Sequence, residues 1–251
     1  MQAGWRWYGL VLMAVATLAL CGCQSALRGE DECPGDPDKE IMELREEWTR
    51  APYNGIHDDH GCGSADIESK ELIRRKAENI LFRYPRHIPT RFFAALLAYE
   101  ANDPLRATEH LDTLFALQPV HPEAAVLRSQ IALEAGNFVF AIHFLEDQIA
   151  LQPDSPELYE AVGSAYFVAG RAQDALTALS TAQGLGAPKW RVAYNRGLVE
   201  ESLGQVPQAI ASYKEALELM PAWPPAKARL EGLEKGYPHA QTVAFPPANG
   251  R

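Results

Sequence analysis

The stretch Trp190-Arg-Val-Ala-Tyr194-Asn-Arg-Gly197-Leu-Val-Glu-Glu-Ser-Leu-Gly204-Gln-Val-Pro-Gln-Ala209-Ile-Ala-Ser-Tyr213-Lys-Glu-Ala-Leu-Glu-Leu219-Met-Pro221 decides how the chain folds. Gly204 separates two segments of helical length and permits a tight turn between them. Pro221 stops the second segment, because it has no amide hydrogen to continue a helix. Small residues at Gly197 and Ala209 let the two helices of the resulting hairpin cross with their backbones close. Tyr213 supplies bulk where Ala209 leaves room.

The same pattern returns at an offset of 34 residues, dividing the chain into windows 88–121, 122–155, 156–189 and 190–223. Residue 20 of each window is Ala107, Ala141, Ala175 or Ala209, and residue 30 is Leu117, Leu151, Leu185 or Leu219. Residue 8 is always small (Ala95, Ser129, Gly163, Gly197), and residue 15 is a turn former (Asn102, Gly136, Gly170, Gly204). Residue 32 is Pro119, Pro153 and Pro221, slipping by one to Pro188 in the third window. One hairpin cannot bury its own apolar face, so stability must come from stacking neighbours.

Small-8, Ala-20 and Pro-32 at a 34-residue period resemble the tetratricopeptide-repeat (TPR) family over residues 88–223. The resemblance implies an all-α fold: a right-handed superhelix of helix-turn-helix hairpins, with about four full repeats plus capping helices. Ile73, Ala77, Ile80 and Pro85 fit residues 20, 24, 27 and 32 of a preceding window, so 66–84 reads as a second-type helix without a first. Pro225 to Lys235 reads as a polar last helix ending at Gly236. Arg128 and Arg196 at residue 7, and Glu200 at residue 11, depart from the family's apolar preference. Arg196 and Glu200 are spaced i, i+4, which predicts that they pair with each other.

Upstream of the array, Leu10 to Leu20 is uninterrupted by polar groups other than Thr17. Eleven helical residues span about 16 Å, half of a ~30 Å hydrocarbon core, which is too short for a stable span and suits a secretory signal. Leu20-Cys-Gly-Cys23 resembles the lipobox of bacterial lipoproteins, with small Gly22 beside the scissile bond and Cys23 as the lipidated thiol. Cys21 is the competing site but would set Leu20 where a small side chain belongs. Resemblance to Gram-negative lipoproteins, with Gln24 rather than Asp after the Cys, implies the periplasmic face of the outer membrane. The expected organisation is a signal peptide over 1–22, a lipidated tether over 23–63, the solenoid over 64–236 and a disordered tail over 237–251.

Within the tether, Asp36-Pro37 reads as a helix start, followed by Ile41, Leu44 and Trp48 on one face. Cys33 and Cys62 are the thiols left after processing, and a bridge between them would close a loop worth ~3.6 kcal/mol in the chain-entropy treatment. The stretch His57-Asp-Asp-His60-Gly-Cys62 holds potential zinc ligands, but its spacing fits no zinc signature, and a solvated turn beside Asn54-Gly55 is the simpler reading. No metal or cofactor is expected.

The chain carries 23 basic and 33 acidic residues for a net charge of −10, and 47% of its 251 residues are apolar. That composition demands a folded core and repels phosphate backbones, so nucleic acid is excluded as a partner. No GxxxxGK[ST], HExxH, GxSxG or CxxC occurs, which argues against an enzyme and a small-molecule substrate. In the TPR family the first helix of each hairpin lines the concave face through residues 5, 9 and 12. The resemblance therefore points to Phe92, Leu96, Tyr99, Val126, Leu133, Phe167, Tyr194 and Leu198 as protein-binding residues, with Gln130, Glu160, Ser164 and Glu201 between them. The Lys and Asn of the chaperone-type carboxylate clamp are missing at residues 5 and 9. A groove apolar at the first two repeats and acidic towards the fourth suits an amphipathic helix or apolar strand with a basic end. The function expected is a protein-interaction scaffold in envelope assembly, serving pilus or secretion machinery or outer-membrane protein biogenesis. An adaptor for peptidoglycan hydrolases is the alternative.

Overall fold

Turn geometry sets the rhythm of the molecule: Asn102, Gly136, Gly170 and Gly204, the residue-15 set, all adopt positive φ, between 57° and 77°. A computed structural model describes residues 35–50 and 64–237, and every regular element among them is a helix. In chain order these are α1 Pro37–Arg50, α2 Ser64–Arg83, α3 Ile88–Glu100, α4 Pro104–Leu117, α5 Pro122–Glu134, α6 Phe138–Leu151, α7 Pro156–Val168, α8 Ala172–Gly184, α9 Lys189–Ser202, α10 Val206–Leu219 and α11 Pro224–Gly236. Proline occupies the first turn of α3, α4, α5, α7, α10 and α11, where its missing N–H has no intrahelical partner to lose. Asp103 and Asn137 cap α4 and α6 by accepting from Arg106 N and Phe140 N. In the third hairpin Gly186, at φ 100°, ends α8 one residue early, which accounts for the slipped proline.

Each hairpin closes on its small residues. Ala107, Ala141, Ala175 and Ala209 have no exposed surface, and Leu111, Leu145, Leu179 and Tyr213 beside them are buried. A Cβ on Gly197 would stand 2.6 Å from Tyr213 Cε1, so the bulkiest residue 24 is tolerated only because residue 8 is glycine. The leucine at residue 30 behaves differently: Leu151 is 58% exposed and Leu219 50%, so this recurring position lies at the edge rather than in the core. Residue 27 takes the buried place, with Leu114, Ala182, Ala216 and Gln148, whose amide donates to Pro119 O at 3.1 Å.

The expected Arg196–Glu200 pair is present at 3.9 Å and sits within a wider network. The Arg196 guanidinium crosses to α10, donating to Ser212 Oγ at 3.0 Å and to the Glu215 carboxylate. Ser212 donates in turn to Glu200 at 2.6 Å. Residue 7 points at the second helix of its own hairpin, so an arginine there finds partners across the hairpin before it finds one along its own helix. Arg128 lies over the Phe140 ring on the second helix of its own hairpin and also reaches back to Asp112 of α4, in the preceding hairpin, at 2.9 Å.

Helix α1 belongs to the array rather than to a free tether. Its Ile41 and Leu44 are buried with Ile73, Ala77, Ile80, Phe93 and Leu97, and Trp48 packs on the same cluster. Two ion pairs, Glu47–Lys76 and Glu40–Arg83, edge the contact and fix α1 antiparallel to α2. The second-type helix predicted around Ile73 thus has a first helix, displaced by a long connection. Cys23, Cys33, Cys62, the His57–Cys62 stretch and the tail lie outside the described residues. Tyr84 at the C-terminal end of α2 donates to Gly35 O.

Candidate functional site

With 100° between successive helical residues, positions 2, 5, 9, 12 and 13 of a hairpin's first helix fall within an arc of about 100°. On α3 this face carries Phe92, Leu96 and Tyr99; on α5 Val126, Gln130 and Leu133; on α7 Glu160, Ser164 and Phe167; on α9 Tyr194, Leu198 and Glu201. The eight expected apolar and aromatic residues are half-buried, neither free-standing nor enclosed. Seven of the eight lean on a core cluster: Phe92, Leu96 and Tyr99 on that of Leu111, Leu114 and Leu127, Leu133 on that of Leu145, Phe167 on that of Leu179, and Tyr194 and Leu198 on that of Tyr213. Phe92 also meets the His121 ring at 5.0 Å.

Two parts of this face carry features that residues 5, 9 and 12 alone do not reveal. At its far end, Trp190 and Trp223 pack edge to face at 4.9 Å, and Tyr194 meets Trp223 at 6.2 Å. Trp190 is residue 1 of its window and Trp223 is residue 34, so a frame limited to three positions passes over both. Near the start, Tyr99, Gln130 and Glu134 form a hydrogen-bonded trio. Tyr99 and Gln130 both donate to Glu134 Oε1, and the Gln130 amide reaches the Tyr99 hydroxyl at 2.6 Å. Burial first, and then the Glu134 bond, push the Tyr99 hydroxyl up to about 12, so it stays a donor at neutral pH.

The acids towards the fourth hairpin are neutralised from within. Glu160, 8% exposed, is gripped by Arg191 at 2.5 and 3.0 Å. Glu201 accepts from Arg229 at 3.3 Å and from the Tyr213 hydroxyl at 2.6 Å. Burial first, and then Glu201, push the Tyr213 hydroxyl up, which keeps it protonated. Glu134, by contrast, has no Lys, Arg or His among the described residues within ion-pair distance. The charge expected at the fourth repeat is therefore masked, whereas the Glu134 carboxylate, between the first and second, is not. Among the described residues no group of His, Cys, Asp and Glu is placed to hold a metal ion.

Stacked hairpins with an exposed apolar seam define a helical-repeat scaffold. Residues 94–156 and 160–227, more than half of the chain, match the tetratricopeptide-repeat model, and the chain belongs to the tetratricopeptide-repeat family. That membership makes the chain a protein-interaction scaffold. Among solved structures, a thermophilic TPR protein of Thermus thermophilus superposes with a TM-score of 0.63 at 16% identity, covering 79% of this chain and 98% of its own. MamA from Desulfovibrio magneticus RS-1 gives 0.56 at 17%, covering 76% and 98%. The Cut9–Hcn1 hetero-tetramer of the APC/C gives 0.60 at 16%, covering 90% of this chain and 46% of that one. At these identities the likeness is one of fold. No curated protein matches the sequence.

Proposed function

We propose that this chain is an outer-membrane lipoprotein, held on the periplasmic face by acyl chains on Cys23, whose hairpin array captures a protein partner during envelope assembly. The observation that carries the reading is the inward seam of Phe92, Leu96, Tyr99, Leu133, Phe167, Tyr194 and Leu198, each leaving part of its surface open through four hairpins. The leader and Leu20-Cys-Gly-Cys23 support the anchor. Among the described residues no helix is long and apolar enough to cross a membrane. Pilus, secretion and outer-membrane protein machineries are the partner classes that suit this address.

Affinity capture from detergent-solubilised envelope tests the seam. Phe92→Ala and Tyr194→Ala should each weaken capture roughly 30-fold, the equivalent of about 2 kcal/mol per aromatic anchor. Because both rings also lean on the core, capture is compared at a temperature where each variant retains its full helical signal. Unchanged capture by the folded double variant would remove the seam from consideration. Fatty-acid labelling tests the anchor: it should vanish in Cys23→Ser and persist in Cys21→Ser.

A further inference from the structure

We infer that the groove selects a partner segment bringing a lysine or arginine to Glu134, with apolar residues on either side; this rests on the seam being the binding face. Three independent features point the same way. The first is placement. Glu134 follows Leu133 on α5 and is bonded to Tyr99 of α3, one turn from Leu96, so the carboxylate stands among the apolar members of the seam. A ligand that satisfies it must present a cation flanked by apolar surface.

The second feature is the manner in which the carboxylate is held. Tyr99 and Gln130 both donate to Oε1, while Oε2 has no partner among the described residues. These donors are neutral and fix the orientation of the group without cancelling its charge. A carboxylate ordered before the ligand arrives loses less conformational freedom on binding, and its second oxygen can take a charge-assisted hydrogen bond.

The third is a contrast within the same face. Glu160 and Glu201 each have an internal arginine, Arg191 and Arg229, so this scaffold does neutralise inward acids where its own chain can supply the cation. At Glu134 it does not. Glu123 and Glu157, at residue 2 of their hairpins, add the same sign to the face, with only His121 and Ser155 beside them. An acidic segment meets repulsion along the second and third hairpins, whereas a basic one meets complementary charge, and the net charge of −10 steers it there.

The test is selection of a random 12-residue peptide library, displayed on phage, against the full chain in detergent. Peptides should emerge enriched several-fold in Lys or Arg among apolar residues. Glu134→Lys should turn the preference to Asp or Glu, and Glu134→Gln should weaken a selected basic peptide roughly tenfold. Glu134 is exposed, so both variants keep the fold, and an unchanged melting curve verifies it. Neutral or acidic peptides whose binding is lost in Phe92→Ala with Tyr194→Ala would keep the groove and overturn its basic preference. Basic peptides indifferent to Glu134→Lys would overturn it as well. No enrichment at all would remove the seam as a binding face, and the inference with it.

Discussion

At Gly197 the last hairpin has no room to spare, since a Cβ would meet Tyr213 Cε1 at 2.6 Å and Cδ1 at 2.8 Å. Gly197→Ala should therefore cost about 1–3 kcal/mol by overpacking, read as a fall of several degrees in thermal unfolding. The other hairpins pair a leucine at residue 24 with Ala95, Ser129 or Gly163, so adding Tyr213→Leu should restore much of the loss. An undisturbed melting curve in the single variant would contradict this packing. Glu200 offers a test through pH. Burial raises its carboxyl above the ordinary value, against the pull of Ser212 and Arg196. A group whose folded-state pKa is raised binds its proton more tightly in the fold, so its contribution declines as pH climbs from the unfolded carboxylate range through the raised value. Glu200→Gln should gain on the wild type as pH rises from about 4 to about 7 in urea unfolding, and a gain in the opposite direction would refute the assignment. The 8-and-24 pairing is legible in the sequence because steric need recurs in every window. Glu134 is not, because a single carboxylate gains meaning only once the arginines facing its siblings are located.

Among the elements, α1 is the one the repeat frame misses. The window preceding residue 88 runs from 54 to 87, so its first ten positions, 54–63, fall in the α1–α2 connection and the next three already belong to α2. A frame of fixed period finds α2 by its Ile73, Ala77 and Ile80 but cannot follow a partner helix displaced by a longer link. α1 also lacks a small residue at the crossing. A cavity of about 450 Å³ accordingly opens between Glu40, Leu44 and Glu47 on one side and Lys76, Ile80 and Arg83 on the other. Its docking then rests on apolar anchors, because half-exposed ion pairs contribute little once salt screens them. Leu44→Ala should cost about 2–3 kcal/mol and raise hydrogen exchange in α1 before the rest of the array. Glu47→Gln should stay within about 1 kcal/mol. Reversal of that order would mean charge, not burial, seats the helix.

For the whole molecule, nearest-neighbour stacking makes the consequences of a change depend on where it falls. A defect in α9–α10 loosens one end, which α11 covers with only Ala226 and Leu233 buried. Hydrogen exchange of Gly197→Ala should therefore quicken in α9–α11 and leave α3–α6 near wild type, whereas uniform acceleration would argue for one indivisible unit. Length and period suffice to read this architecture from the sequence, since every hairpin repeats the same steric demands. The internal neutralisation of the groove escapes such a reading, because Arg191 and Arg229 act across helices, 31 and 28 residues from their acids.

If Cys23 carries the proposed anchor, the seating of α1 against α2 and α3 also sets the length of a leash. Thirteen residues lie between Cys23 and Pro37, where the packed array begins, and fully extended that connection reaches no more than about 50 Å. An anchored array is thus confined to a thin layer over the bilayer, and a membrane-bound partner shares that layer at an effective concentration on the order of millimolar. A groove of modest intrinsic affinity would suffice there, while the same chain released from the membrane would let go.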